Sequence, residues 1–212
     1  MSNNNNENKY YAPLNIRLFD VKDGYIFDYI KGVKSSQQLT ILLYTLSQCY
    51  YITTNTPYTS IEMSSKFNAK NCFLKNLKQS NNKTLLNLLA LEKTRYIDKI
   101  KHNNKTLDID FNPELLDIRE KANRFTISLN ELLGFKYLEH SLIYILTRYG
   151  RNKSFLYHNC LCKVLNIEEL PYSRQKQKLK RIFSSLVKKG YLYSFEYKNY
   201  KCVFERKDPK GI

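Results

Sequence analysis

Between Pro171 and Phe195 the chain carries seven Lys/Arg and not one Asp or Glu. The spacing predicts a basic amphipathic helix from Ser173 to Lys189. Leu179, Ile182, Phe183 and Leu186 fall at i, i+3, i+4 and i+7, a packing stripe for one side of that helix. Ser173 is placed to act as its N-cap. The helix passes directly into a predicted two-strand hairpin, Gly190 to Arg206, turning near Lys198 and Asn199. No other stretch limits the choice of fold as strongly as this junction of cationic helix and hairpin.

The remaining faces of the helix carry its charge. Arg174, Lys178, Arg181, Ser185 and Lys188 recur every three or four residues and form a line, flanked by Lys176 and Lys180. Such a stripe can follow phosphates or reach base edges from a groove. Arginine pairs bidentately with guanine O6 and N7, which makes Arg174 and Arg181 the candidates for specificity and the lysines the candidates for backbone affinity. The competing reading is a solvated amphipathic face. Solvated helices normally mix signs, and the absence of acids favours contact with a polyanion.

The charge of the whole chain points the same way. Across 212 residues, 35 Lys+Arg against 19 Asp+Glu give a net charge of +16. Each cation placed on a phosphate releases condensed counterions, so an excess of this size suits a nucleic-acid partner. The alternative source is the base composition of an AT-rich genome, since Lys, Asn, Tyr and Ile are all abundant. Apolar residues at 42% are enough for a folded core in one large domain or two small ones. Cys49, Cys72, Cys160, Cys162 and Cys202 are odd in number and mostly set in apolar runs, which predicts reduced thiols and a cytoplasmic location. The polar start, Met1 to Lys9, has no apolar signal-peptide core, and no apolar run is long enough to span a bilayer.

Residues 1–12 read as a flexible tail and Leu14 to Ile30 as a mixed apolar segment. Leu39, Leu42, Leu43 and Leu46 mark a helix from Ser36 to about Tyr50 with one buried face. A short helix is expected at about Ser60 to Phe67 and a basic one at Asn71 to Gln79, then an apolar helical piece at Leu85 to Leu91. Arg95 to Lys101 and Lys105 to Phe111 read as a hairpin, closed by Asn112-Pro113. The second half repeats this plan. A strand-like lead at Arg124 to Leu129 precedes helices at Leu138 to Tyr149 and Phe155 to Leu165, then the basic helix and its hairpin. Ile41 to Leu46 resembles Leu142 to Thr147, and the hairpins resemble each other, at offsets close to one hundred residues. The competing reading is one larger α+β domain with a chance echo.

The predicted fold is therefore α+β, mainly helical, with two winged-helix units, at 13–113 and 124–207. In each, the basic helix would enter a DNA groove and the hairpin would form the wing. The second wing supplies Lys198 and Lys201, with Arg206 and Lys207 beyond. The first unit supplies Lys70, Lys75 and Lys78 near its basic helix and Lys99, Lys101 and Lys105 on its hairpin. With fewer arginines, that unit could serve dimerisation as much as DNA binding. Tyr191, Tyr193, Tyr197 and Tyr200 lie in or near the second wing, either as core and cross-strand pairs or as platforms for unpaired bases.

Other chemistries find weaker support. No phosphate-binding GxxxxGK[ST] loop occurs among the six scattered glycines, so no nucleotide cofactor is expected. His158, Cys160 and Cys162 form H-x-C-x-C, but no second ligand pair has suitable spacing, and core residues on a helix are the better reading. Asp108 and Asp110 alternate on a strand as a Mg²⁺-binding nuclease pair would, without a third acid, and solvated acids at a wing edge are the better reading. Glu196-Tyr197-Lys198 gives an E-x-K with no preceding Asp partner, and the paired histidines of a nickase and the Arg/His set of a tyrosine recombinase are absent. The expectation is a non-enzymatic protein, with a metal-dependent nuclease as the alternative of another class.

The segments Phe125-Thr126-Ile127-Ser128-Leu129, Ser141 to Leu146, and Leu186-Val187-Lys188-Lys189-Gly190-Tyr191-Leu192 resemble the replication initiators of iteron-type theta plasmids. The last is similar to that family's junction of long helix, Gly-aromatic-apolar, and strand. The resemblance covers about the C-terminal ninety residues, and the N-terminal half fits by plan. It implies a protein that binds repeated sites in double-stranded DNA at an origin. The N-terminal unit would handle a homodimer, and host replication proteins would be recruited to melted AT-rich DNA. A winged-helix transcriptional regulator is the alternative in the same class.

Overall fold

The computed structural model describes residues 11–15, 32–51, 58–62, 73–77, 81–94, 97–102, 106–112, 124–148 and 152–207. Strand β1 (Tyr11–Asn15) is followed by helix α1 (Ser36–Tyr51), β2 (Tyr58–Glu62), a 3₁₀ turn (Phe73–Leu77), α2 (Asn81–Leu89) with a second 3₁₀ turn (Ala90–Lys93), β3 (Ile97–His102) and β4 (Thr106–Phe111). Then come β5 (Arg124–Ser128), α3 (Leu129–Leu133), α4 (Leu138–Arg148), β6 (Lys153–Tyr157), α5 (His158–Leu165), α6 (Tyr172–Lys188), β7 (Leu192–Lys198) and β8 (Lys201–Arg206). The chain is α+β. Among the described residues there are two three-stranded antiparallel sheets, ordered β2-β4-β3 and β6-β8-β7, and one antiparallel pair, β1-β5.

Helices α1 and α4 are the centre of the core. The pattern predicts one buried face for α1, yet every residue from Leu39 to Ser47 is buried. Its hydroxyls make this tolerable by bonding back to their own helix. Thr40 Oγ1 donates to the Ser36 carbonyl (2.8 Å), Thr45 Oγ1 to Ile41 (2.7 Å) and Ser47 Oγ to Tyr44 (2.6 Å), so none of these three hydroxyls is buried unsatisfied. In α4, Ser141 to Arg148 are all buried, and Thr147 Oγ1 bonds the Tyr144 carbonyl in the same way. The two helices meet through a hydroxyl pair, Ser36 Oγ to Ser141 Oγ at 2.5 Å. Strand β1, which begins inside the segment expected as a tail, pairs with β5 from Tyr11 opposite Ser128 to Asn15 opposite Arg124. The two halves thus share a strand pair and one apolar cluster.

The two sheets follow one plan. A shift of 95 residues carries β2 (58–62) onto β6 (153–157), β4 (106–111) onto β8 (201–206), and the first residue of β3, Ile97, onto that of β7, Leu192. Even the irregularities match: one bulge falls between Ile97 and Lys99, the other between Leu192 and Ser194. The same shift carries the buried Thr84, Leu88 and Leu91 onto Leu179, Phe183 and Leu186.

Several expectations are corrected. Residues 153–157 are a strand and not the first turns of a helix, because Lys153-Ser154-Phe155-Leu156-Tyr157 alternates outward and inward and pairs with β8. Residues 58–62 are likewise a strand where a helix from Ser60 was expected. The helix that precedes the first hairpin is α2, so Lys75 sits one element too early, in the 3₁₀ turn. Lys70, Lys78 and Lys105 lie outside the described residues, as do residues 113–123 of the join expected near 112 to 124. Strand β4 is the middle of its sheet, so Asp108 and Asp110 are not on a wing edge.

Candidate nucleic-acid interface

Helix α6 starts one residue earlier than predicted. Pro171 occupies the N-cap position and makes no side-chain cap, so Ser173 does not fill that role. The backbone N–H groups of Arg174 and Gln175 bond the Pro171 carbonyl at 2.9 and 3.0 Å. Leu179, Ile182, Phe183 and Leu186 are fully buried, each worth about 1.5–3 kcal/mol relative to exposure. Phe183 stacks on Phe195 of β7 with ring centroids 4.7 Å apart, and Phe204 of β8, the cross-strand partner of Phe195, lies 5.9 Å from it. Helix and hairpin are therefore one packed body.

Their junction is equally defined. Gly190 has φ +78° and nothing within 4 Å of where a Cβ would stand. Its N–H bonds the Val187 carbonyl (2.9 Å) and the Tyr191 N–H bonds Leu186 (3.0 Å), the double closure that ends a helix when a left-handed residue follows. At the far end, Asn199 (φ 51°) and Tyr200 (φ 55°) make the two-residue turn between the Lys198–Lys201 pair. Tyrosine seldom adopts that conformation.

The face of α6 opposite the core presents Arg174, Lys180, Arg181 and Lys188 to solvent, and the wing adds Lys198. Among the described residues neither Arg174 nor Arg181 is in an ion pair. The other predicted cations have partners. Lys178 Nζ lies 2.5 Å from Glu139 Oε1 of α4. Lys176 Nζ stands over the Tyr197 ring at 5.1 Å, and Lys201 Nζ over the rings of Phe155 and Tyr157 at 4.3 and 5.0 Å. Ser185 is half-buried. Lys189, just past the helix, donates to the Gly134 carbonyl at 2.8 Å and covers Phe135. His140 of α4 feels this face: burial lowers its pKa, Glu139 opposes the shift, and Lys189 and Arg181 reinforce it.

The predicted pairing of His158 and Cys162 on one helix face is present, at 3.4 Å. Sequence reasoning missed what else His158 does. It is buried at the start of α5, with Nε2 2.7 Å from Gln175 Oε1 and Nδ1 2.8 Å from the Tyr197 hydroxyl. An amide oxygen only accepts, so Nε2 carries a proton in the bond to Gln175. Its own N–H bonds the Tyr200 carbonyl at 2.9 Å. Through its ring and its backbone N–H, His158 thus ties the start of α6 to β7 and to the wing turn. The Gln175 amide N–H donors are spent on the loop before the helix, with Nε2 bonding the Glu168 and Leu170 carbonyls at 2.9 and 2.8 Å. No signal in the sequence links residues 17 and 39 positions apart. The thiols beneath are held protonated: burial pushes Cys162 up to about 11 and Cys202 up to about 12.

In the first half Lys101 Nζ lies 3.7 Å from Asp110 Oδ2, and Lys99 is exposed. Sequence reasoning also missed Lys83 and Lys93, both exposed, which the shift of 95 carries onto Lys178 and Lys188. Among the described residues no three His, Cys, Asp or Glu side chains are grouped to hold a metal ion, and no helix is long and apolar enough to cross a membrane. The sequence matches no family model and no curated protein.

Proposed function

We propose that the chain is a sequence-specific double-stranded DNA-binding protein built from two winged-helix units. The order helix, strand, helix, helix, hairpin in α4-β6-α5-α6-β7-β8, with the first strand paired to the last, supports that reading of the second unit. The first unit's sheet has the same order at a constant shift. The observation that carries the proposal is the outer face of α6, acid-free and rigidly joined through Phe183 to a hairpin with an exposed cation at its tip. Arg174 and Arg181 read base edges, while Lys180, Lys188 and Lys198 hold phosphates.

Within that class, the role we propose is that of a replication initiator binding repeated sites at a plasmid or phage origin. The support is the resemblance of 125–129, 141–146 and 186–192 to iteron-binding initiators, together with the repeated architecture. The test is an electrophoretic shift with DNA fragments flanking the gene, across a salt series. Retention of one repeat-containing fragment at physiological salt supports an origin reader. Retention of a single promoter-proximal site without repeats indicates a transcriptional regulator. Release of all fragments together as salt rises refutes sequence-specific binding.

A further inference from the structure

The sheet β6-β8-β7 has a second side that the packing of α6 does not use. Register and exposure place Lys153, Phe155 and Tyr157 of β6, Lys201, Val203 and Glu205 of β8, and Glu196 and Lys198 of β7 on that outer side. Phe155 is 44% exposed and Tyr157 49%. Their centroids are 5.2 Å apart with ring planes at 86°. Lys201 lies over both rings. At the same end of the sheet the wing turn carries Tyr200, 65% exposed, packed 5.5 Å from the exposed Tyr172. The His158 N–H to Tyr200 carbonyl bond fixes this turn against the end of β6.

Aromatic pairs on a sheet face are usually internal cross-strand stabilisers. Here both aromatic residues are nearly half exposed, and the end of the sheet beside Tyr157 carries two cations and no acid. Of the outward acids, Glu205 lies at the far end opposite Lys153 and Glu196 lies in the middle row, across Val203 from Phe155, whereas the pair at the tip is Lys198 opposite Lys201. Exposed aromatic faces beside cations suit a ligand with flat apolar groups strung on an anionic backbone. We propose that the outer face of β6 and β8 is a stacking site for unpaired bases of single-stranded nucleic acid, with Phe155 and Tyr157 as platforms and Lys201 and Lys198 on the phosphates. A base settling on either ring displaces the Lys201 ammonium toward the phosphate of the same nucleotide. Because the two rings are nearly perpendicular, successive bases are splayed and the footprint is short. The duplex face of α6 is not involved and Lys198 is the one cation shared with it, so the aromatic platforms are tested separately from duplex binding.

The probe is a fluorescein-labelled oligothymidylate, read by anisotropy at moderate salt beside a duplex of the same length. The chain contains no Trp, so Tyr157→Trp reports from this position alone. The proposal expects Tyr157→Trp to bind with affinity close to the parent's and its fluorescence to be quenched by the oligonucleotide. Phe155→Ala with Tyr157→Ala should weaken oligothymidylate binding at least about tenfold and leave duplex binding within about twofold, with an unchanged melting profile. It is overturned if the parent chain does not bind oligothymidylate, if the indole is not quenched, or if Arg174→Ala with Arg181→Ala abolishes single-strand binding while the alanine pair on β6 leaves it intact. A change of oligomeric state in the alanine pair, seen by sedimentation, would assign the face to a second copy of the chain and also overturn it.

Discussion

Lys178 and Lys188 both belong to the cationic line of α6, but only one of them faces solvent without a carboxylate. Lys188 is exposed, while Lys178 is held 2.5 Å from Glu139. If α6 lies on DNA, the two differ in counterion release. Each phosphate neutralised contributes about −0.9 to the slope of log K against log salt, so Arg174, Lys180, Arg181, Lys188 and Lys198 together set a ceiling of about −4.5. Lys188→Ala should flatten the slope by about 0.9, which is about 3.5-fold in affinity between roughly 50 and 200 mM salt. Lys178→Ala should leave the slope nearly unchanged, because that cation already has its anion. Glu139→Gln should release Lys178 to the DNA and steepen the slope by about 0.9. The assay is fluorescence anisotropy with a labelled duplex fragment over a salt series. Equal flattening by Lys178→Ala and Lys188→Ala, or no response to either, would refute the placement of this face on the phosphates.

Arg181→Ala should cost about 1–3 kcal/mol on a selected specific site and relax sequence preference there, whereas Lys188→Ala should weaken all sequences alike; competition binding separates the two. Phe183→Ala removes a fully buried ring stacked on Phe195 and should destabilise the chain by about 3–5 kcal/mol in denaturant titration, loosening wing and helix together. Gly190→Ala meets no steric obstacle but places a Cβ in the left-handed region and should cost about 1–2 kcal/mol. Among the described cysteines, alkylation mapped by mass spectrometry at neutral pH should label Cys160, which is partly exposed, ahead of Cys162 and Cys202. Both buried thiols are raised above the ordinary 9.0, so the folded state favours their neutral form. The stability this provides is complete below pH 9 and falls as pH climbs toward about 11 and 12, which a melting series across that range checks.

Helix α6 and its hairpin were legible because their signals are local: four apolar positions one turn apart, then Gly190, then alternating strands. Strand β6 was not, because its partner β8 lies some fifty residues away and Phe155 to Leu165 reads as one apolar run. The first unit suffered more. Its helix α2 has nine residues against seventeen in α6, and few cations, so the basic letters at 70–78 drew the assignment to the wrong element. The surface cations could be named from spacing alone, but which of them are occupied could not. Glu139 sits on another helix, and the aromatic partners of Lys176 and Lys201 come from other strands.

The pairing of β1 with β5 has a consequence in time. Asn15 pairs with Arg124, so the first strand is finished more than a hundred residues before its partner exists. At ordinary rates of synthesis that interval is on the order of ten seconds. Throughout it β1 has an open edge and no sheet to join. The second half therefore completes the first as well as itself: until β5 emerges, the N-terminal unit has not reached its final register, and a nascent chain stalled before residue 124 should be captured by chaperones or proteases in a way that one stalled after residue 128 is not.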